Sequence, residues 1–352
     1  MGNITKWVGA SLLAVVVMAG VSGCKKKVEG PKPAPEAVSP KTVCSEQLST
    51  WATVSGSGFS PSPKDGLTDN PKLALPQLTI TKTRVLNGTA APRPPVVLNA
   101  DVTDPTVSRV MWTSQSEMSF LVDQTPPLDS GIYDLSAKNP TGGEGMLTDA
   151  LVVVPPPMLQ SVEPAEICAS PLETTITLTG TGFLFLEGAA PAVTVTAGAS
   201  TVNAASVTMV DGACNAIYSL SNSYTCTQIT VSLGAGTVAG DGVYTVSLTN
   251  PATANCTSLT TVEFIVVPPP VVSAVAPEEI CSAQLETEIT LTGTGFLVRD
   301  GEMPTVTMTG GATSVNATAV AMVDGACQLF HGLTNWYVCT GITATLAAGS
   351  VV

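Results

Sequence analysis

Four short signatures recur in this chain at one fixed spacing, and that spacing constrains the fold more than any other feature. PPP, GTGF, DGAC and CT begin at Pro155, Gly180, Asp211 and Cys226, and again at Pro268, Gly293, Asp324 and Cys339, each 113 residues later. A gap-free repeat of this length is a duplicated domain, so 156–269 and 270–352 are read as consecutive copies. A more divergent copy over 42–155 precedes them. Cys44 stands twelve residues before GSGF at Gly56, as Cys168 does before Gly180, and SGIYDLSAKNP from Ser130 echoes DGVYTVSLTNP from Asp241. The third copy ends early: LAAGSVV (346–352) aligns with LGAGTVA (233–239), so it holds no counterpart of 242–267. A truncated reading frame is the expectation; the other reading is a domain completed by a partner's strand.

Within 156–269 apolar residues alternate with period two, the signature of half-buried strands. LQSVEP (159–164), TTITLTG (174–180), AVTVTAG (192–198), ASVTMV (205–210), QITVSL (228–233), GVYTVSL (242–248) and TTVEFIVV (260–267) give seven strands, separated by Gly, Pro, Asn and Asp. Seven short strands in about 110 residues predict an all-β, immunoglobulin-like sandwich, repeated in tandem and without helix. Charged residues are only 12% of the chain and mean hydropathy is +0.35, so outward Thr rather than charge must keep the sheets wet. A net charge of -13 gives no electrostatic basis for binding nucleic acid. With one histidine, His331, the chain offers a single imidazole for acid–base chemistry and no histidine cluster for a metal, and the expectation is a non-enzyme without metal or cofactor.

These residues resemble the IPT/TIG immunoglobulin-like domains. The resemblance rests on a strand ending in Pro (SVEP, SAVAP), an alternating strand ending in Gly-x-Gly-Phe, a strand running into Asn-Pro and a last strand ending near Phe. It is close in the second and third copies and loose in the first, and it implies stalks, glycan-binding modules or adhesins on bacterial surfaces. The fold follows from it more firmly than any ligand.

The first residues read as an export segment. Lys6 precedes an apolar run over 8–21, and Val21-Ser22-Gly23-Cys24 resembles a bacterial lipobox. The resemblance implies cleavage after residue 23 and acylation of Cys24, with the membrane as partner through that anchor. Lys25, where an Asp would retain such a protein at the inner membrane, implies an outer-membrane lipoprotein. The run is shorter than the ~20 residues a spanning helix needs. Residues 24–41 read as the lipidated Cys and a Pro-rich linker.

Nine cysteines in an exported chain predict disulfides. Cys214 and Cys226 are twelve apart, as are Cys327 and Cys339, and each pair closes an insert between the fourth and fifth strands. The inserts carry Tyr218 and Tyr224, or Phe330, His331, Trp336 and Tyr337, in a chain with only 5% aromatics. They are a candidate binding tip for a glycan or protein partner; the competing reading has them cap the sandwich. For the other cysteines two schemes stay open. Cys168 pairs with Cys256 inside the second copy, or Cys44 bridges to Cys256 across the three-proline junction, with Cys168 bridging onward. Asp211-Gly212 and Asp324-Gly325 read as turns, not calcium loops, and Glu163, Glu166 and Glu173 as a solvated edge. Two functions remain: a lipid-anchored interaction stalk, or an inert spacer presenting a further enzyme or receptor domain.

Overall fold

The computed structural model describes residues 30–45, 49–63, 73–98, 109–122, 128–281 and 285–350. Cys24 and the lipobox lie outside the described residues. The described chain is all β, arranged as tandem immunoglobulin-like sandwiches.

In the second domain one sheet runs Met158–Glu163, Thr174–Phe185, Tyr224–Leu233, Ser206–Met209, and the other runs Glu166–Cys168, Val262–Val267, Gly242–Thr249, Ala192–Ala197, Ser200–Asn203. Every expected strand is present. The additions, Glu166–Cys168, Ser200–Asn203 and Cys214–Ala216, are too short for alternation to register. The first strand ends on a proline, and the chain then crosses to the opposite sheet, where Glu166–Cys168 runs parallel to Val262–Val267. Thr42–Cys44 does the same beside Glu144–Val154 in the first domain. Ile176, Leu178, Val195, Val231, Val246 and Phe264 meet between the sheets, each 2% exposed or less.

One boundary differs from the sequence reading. Ala34–Ser39, assigned to the Pro-rich linker, is the first strand of the first domain and pairs antiparallel with Thr50–Ser57. Prolines are tolerated there because an edge strand has outward N–H groups that need no ladder partner. Val38 alternates inward to 7% exposure and joins the core.

The Gly-x-Gly-Phe signature sits where the first strand crosses the bulged second one. A Cβ on Gly56, Gly180 or Gly293 would overlap the carbonyl oxygen of Ala34, Met158 or Val271 on that neighbour, so each copy needs glycine there. The second glycine has φ of +74°, +73° and +74° in the three copies, a left-handed kink that returns Phe59, Phe183 and Phe296 to the core. A buried asparagine clamps the kink. Asn139 Nδ2 donates to Pro31 O at 2.7 Å and Gly58 O at 2.8 Å, while its Oδ1 accepts from Ser60 N at 3.0 Å. Asn250 repeats this, donating to Gly182 O at 2.9 Å and accepting from Leu184 N at 3.0 Å.

In the third domain the sheet Val271–Ala276, Thr287–Arg299, Trp336–Leu346, Ala319–Met322 repeats that of the second. The apolar face carrying Ile289, Leu291, Phe296 and Ile342 is covered in part by residues 303–306 and the hairpin of Thr307–Gly310 and Thr313–Asn316, with a groove of about 350 Å³ between them.

Candidate functional site

The cysteine-closed inserts do not project into solvent as free tips. Cys214 and Cys226 face each other across a short antiparallel ladder and are bonded, with Cα atoms 4.0 Å apart. The loop beyond closes on itself through Ile217 N to Ser223 O at 2.9 Å. It then lies against the first domain. Tyr218 N donates to Leu86 O at 2.8 Å, and Lys41 Nζ donates to Ser219 O at 3.1 Å. The Arg84 guanidinium stands 4.9 Å from the Tyr218 ring centre, a cation–π distance. Gly88 lies beneath that ring: a Cβ there would come within 2.8 Å of it, and φ is +88°.

A separate apolar core forms under this contact. Cys44, Ile132, Val152 and Val154 of the first domain pack with Leu184, Leu186, Ile217, Ala254 and Cys256 of the second, all 6% exposed or less. At its centre Cys44 is bonded to Cys256, Cα to Cα 5.4 Å, across a sequence separation of 212. Of the two schemes left open, the structure therefore contains the interdomain one, and Cys168 is free and exposed. The geometry explains the choice: Cys44 ends the crossing strand at the exit end of its sandwich, and Cys256 lies in the loop before the last strand at the entry end of the next.

The second insert docks in the same way with different chemistry. Cys327 and Cys339 are bonded. Phe330 is 3% exposed, meets the His331 ring edge-on at 4.6 Å and stacks with Trp336 at 6.4 Å. His331 Nε2 lies 3.1 Å from Asp241 Oδ2 of the second domain. Where the first junction has Leu186, this one has Arg299, whose Nη1 donates to both Glu166 carboxylate oxygens at 2.8 and 2.7 Å. That hydrogen bond, then the charge of Glu166, raises the Arg299 pKa and fixes its charge.

Of the six tip residues, Tyr218 and His331 reach the preceding domain, while Phe330 and Trp336 pack beside His331 and Arg299 within the third domain. Tyr224 and Tyr337 fold back onto the cores of their own domains. Tyr218 is still 43% exposed and His331 half-exposed, so the inserts touch the preceding domain and also present aromatic surface outward. The first domain has no such insert, since Val110–Ser114 passes to Glu117–Val122 by a tight turn. Glu166 and Glu173 do not share a site; Glu173 accepts from the Ser232 hydroxyl and Glu166 holds Arg299. The asparagine clamp was missed in sequence, although Asn-Pro at 139 and 250 marked its position.

Residues 157–264 match the IPT/TIG domain family. The match spans the second domain, whose sequence signatures recur in the third at the 113-residue offset. No curated protein matches the chain. Among solved structures, a marsupial T cell receptor is 12% identical with a TM-score of 0.30, the alignment covering 89% of this chain and 93% of that one. The complex of Dpr2 Ig1-Ig2 with DIP-Theta Ig1-Ig3 is 12% identical with a TM-score of 0.23, covering 91% and 90%. A calcium-stabilised adhesin, by which an Antarctic bacterium binds ice, is 14% identical with a TM-score of 0.26, covering 91% of this chain and 66% of that one. Superposition this loose transfers no ligand to this chain.

Proposed function

We propose that the protein is a non-catalytic, lipid-anchored stalk of the bacterial envelope, whose coupled immunoglobulin-like domains hold a distal surface clear of the outer membrane for contact with a glycan or protein partner. The observation that carries this reading is the first junction: a buried apolar core, a docked insert and the Cys44–Cys256 bond together join two domains into one body. Interdomain contacts in a freely jointed chain are smaller and more polar. Cys24, with Lys25, Lys26 and Lys27 against lipid headgroups, supplies the anchor.

Spin labels on exposed residues of the first and second domains test the stalk. A single narrow distance distribution is the expected result; a broad one in the oxidised protein overturns it. For the anchor, mass spectrometry finds an acylated N-terminus at Cys24, and a Cys24→Ala chain leaves the membrane fraction.

One observation favours the spacer as a second reading: Tyr218 and His331 of the aromatic inserts have partners within the chain. Under it, Trp336→Ala loosens the junction between the second and third domains and leaves partner retention unchanged.

A further inference from the structure

The position of the interdomain bond in the chain, rather than its presence, leads further. Cys44 follows only the first strand and the short crossing strand of the first domain, and Cys256 precedes only the last strand of the second. The bond joins the beginning of one sandwich to the end of the next, and the 212-residue separation between them contains nearly everything else in both. We propose that Cys44–Cys256 is a covalent bypass that carries tension past the first two domains, so that a pull between the N-terminus and the third domain cannot draw out the chain between the two cysteines. This rests on the stalk reading, because only a tethered stalk is loaded end to end.

The path of force is set by topology. Tension entering from the N-terminal side runs along the backbone to Cys44, crosses the sulfur bridge to Cys256 and continues through Val262–Val267 into the third domain. Load can peel Ala34–Ser39 from Thr50–Ser57 and Val262–Val267 from Gly242–Thr249, but it stops at the two sulfurs. Each peeled segment yields at most about 50 Å at ~3.5 Å per residue. The bulged strands, the inserts and most of the second core lie outside the loaded path. Cys44 and Cys256 are 4% and 0% exposed, so the closed junction also shields the bond from thiols in solution.

The second junction is built otherwise. Cys168, at the position of Cys44, is free and exposed, and the contacts there are Arg299 with Glu166 and His331 with Asp241, half-exposed pairs of the kind that resist separation weakly.

Single-molecule force spectroscopy of the full chain, held at its two ends, tests the bypass. In the oxidised protein the third domain extends while the first and second together release less than about 100 Å. Removing the bond in a Cys44→Ser/Cys256→Ser chain frees the 212-residue separation less the 12 still held by Cys214–Cys226, about 200 residues, and adds about 700 Å of extension. Should that variant fail to fold, reductant added to the wild-type chain once load has opened the junction releases the same length. A 700 Å release from the oxidised protein, or no added release after the bond is removed, overturns the proposal. Narrow spin-label distances with a long oxidised release defeat the bypass and leave the stalk standing; broad distances with a short release do the reverse.

Discussion

Replacing Asn139 by alanine isolates the clamp that holds the glycine kink of the first domain. The side chain is 1% exposed and makes three hydrogen bonds, two donated to Pro31 O and Gly58 O and one accepted from Ser60 N. Each such bond contributes about 1 kcal/mol net, so their loss alone costs about 3 kcal/mol. The carbonyl of Gly58 and the amide of Ser60 would also be left without that partner beside buried Phe59, which adds to the penalty. Trp112 donates its indole N–H to Phe59 O at 3.0 Å, so its fluorescence reports on this kink directly. Urea unfolding followed by tryptophan emission should show the first-domain midpoint falling by the equivalent of about 3 kcal/mol, a large share of the ~5–15 kcal/mol that stabilises a domain. Asn139→Asp gives no rescue, because a carboxylate can accept from Ser60 but repels the two carbonyls. A loss below about 1 kcal/mol for Asn139→Ala would refute the clamp.

Gly180→Ala forces a Cβ into Met158 O and should destabilise the second domain by about 2 kcal/mol or more in calorimetry, whereas Gly310→Ala, with open space and no left-handed φ, should be neutral. Burial, reinforced by the nearby Asp129 charge, raises the Tyr133 pKa above its ordinary 10.0, and its hydroxyl donates to Asp129 O at 2.7 Å. The folded domain therefore holds this proton more tightly than the unfolded chain: stability is intact below the ordinary 10.0 and declines as pH climbs beyond it, a decline that Tyr133→Phe should reduce in urea titrations taken into alkali.

How much of this was legible in sequence depends on the range of the contact. Alternation in 174–180 and 242–248 is local, and it located the strands and the sandwich. GTGF was legible as a kink because glycine at a strand end has few other uses. Ala34–Ser39 was not: its prolines imitate a spacer, although Val38-Ser39-Pro40 repeats Val162-Glu163-Pro164 and could have revealed it. The docking of Tyr218 was hidden because its partners, Leu86 and Gly88, sit in a turn more than 120 residues earlier that no periodicity connects to the insert. One signal did exist: the insert is absent from the first of the three copies. Glu166 with Arg299 escaped notice for a similar reason, since its two halves come from different repeats.

The docking loop and the surface that receives it lie at opposite ends of the same repeated unit. Such a head-to-tail contact is not self-complementary, so it never closes on itself as a two-fold dimer interface does; it propagates. Each duplication of the unit brings along both the surface for its successor and the loop for its predecessor. Length can accordingly change by whole units through recombination alone, with every new joint already furnished with its contacts. The exchange of Leu186 for Arg299 shows the other freedom this allows: once the geometry is inherited, a single substitution turns an apolar joint into an ion-paired one without changing where the domains meet.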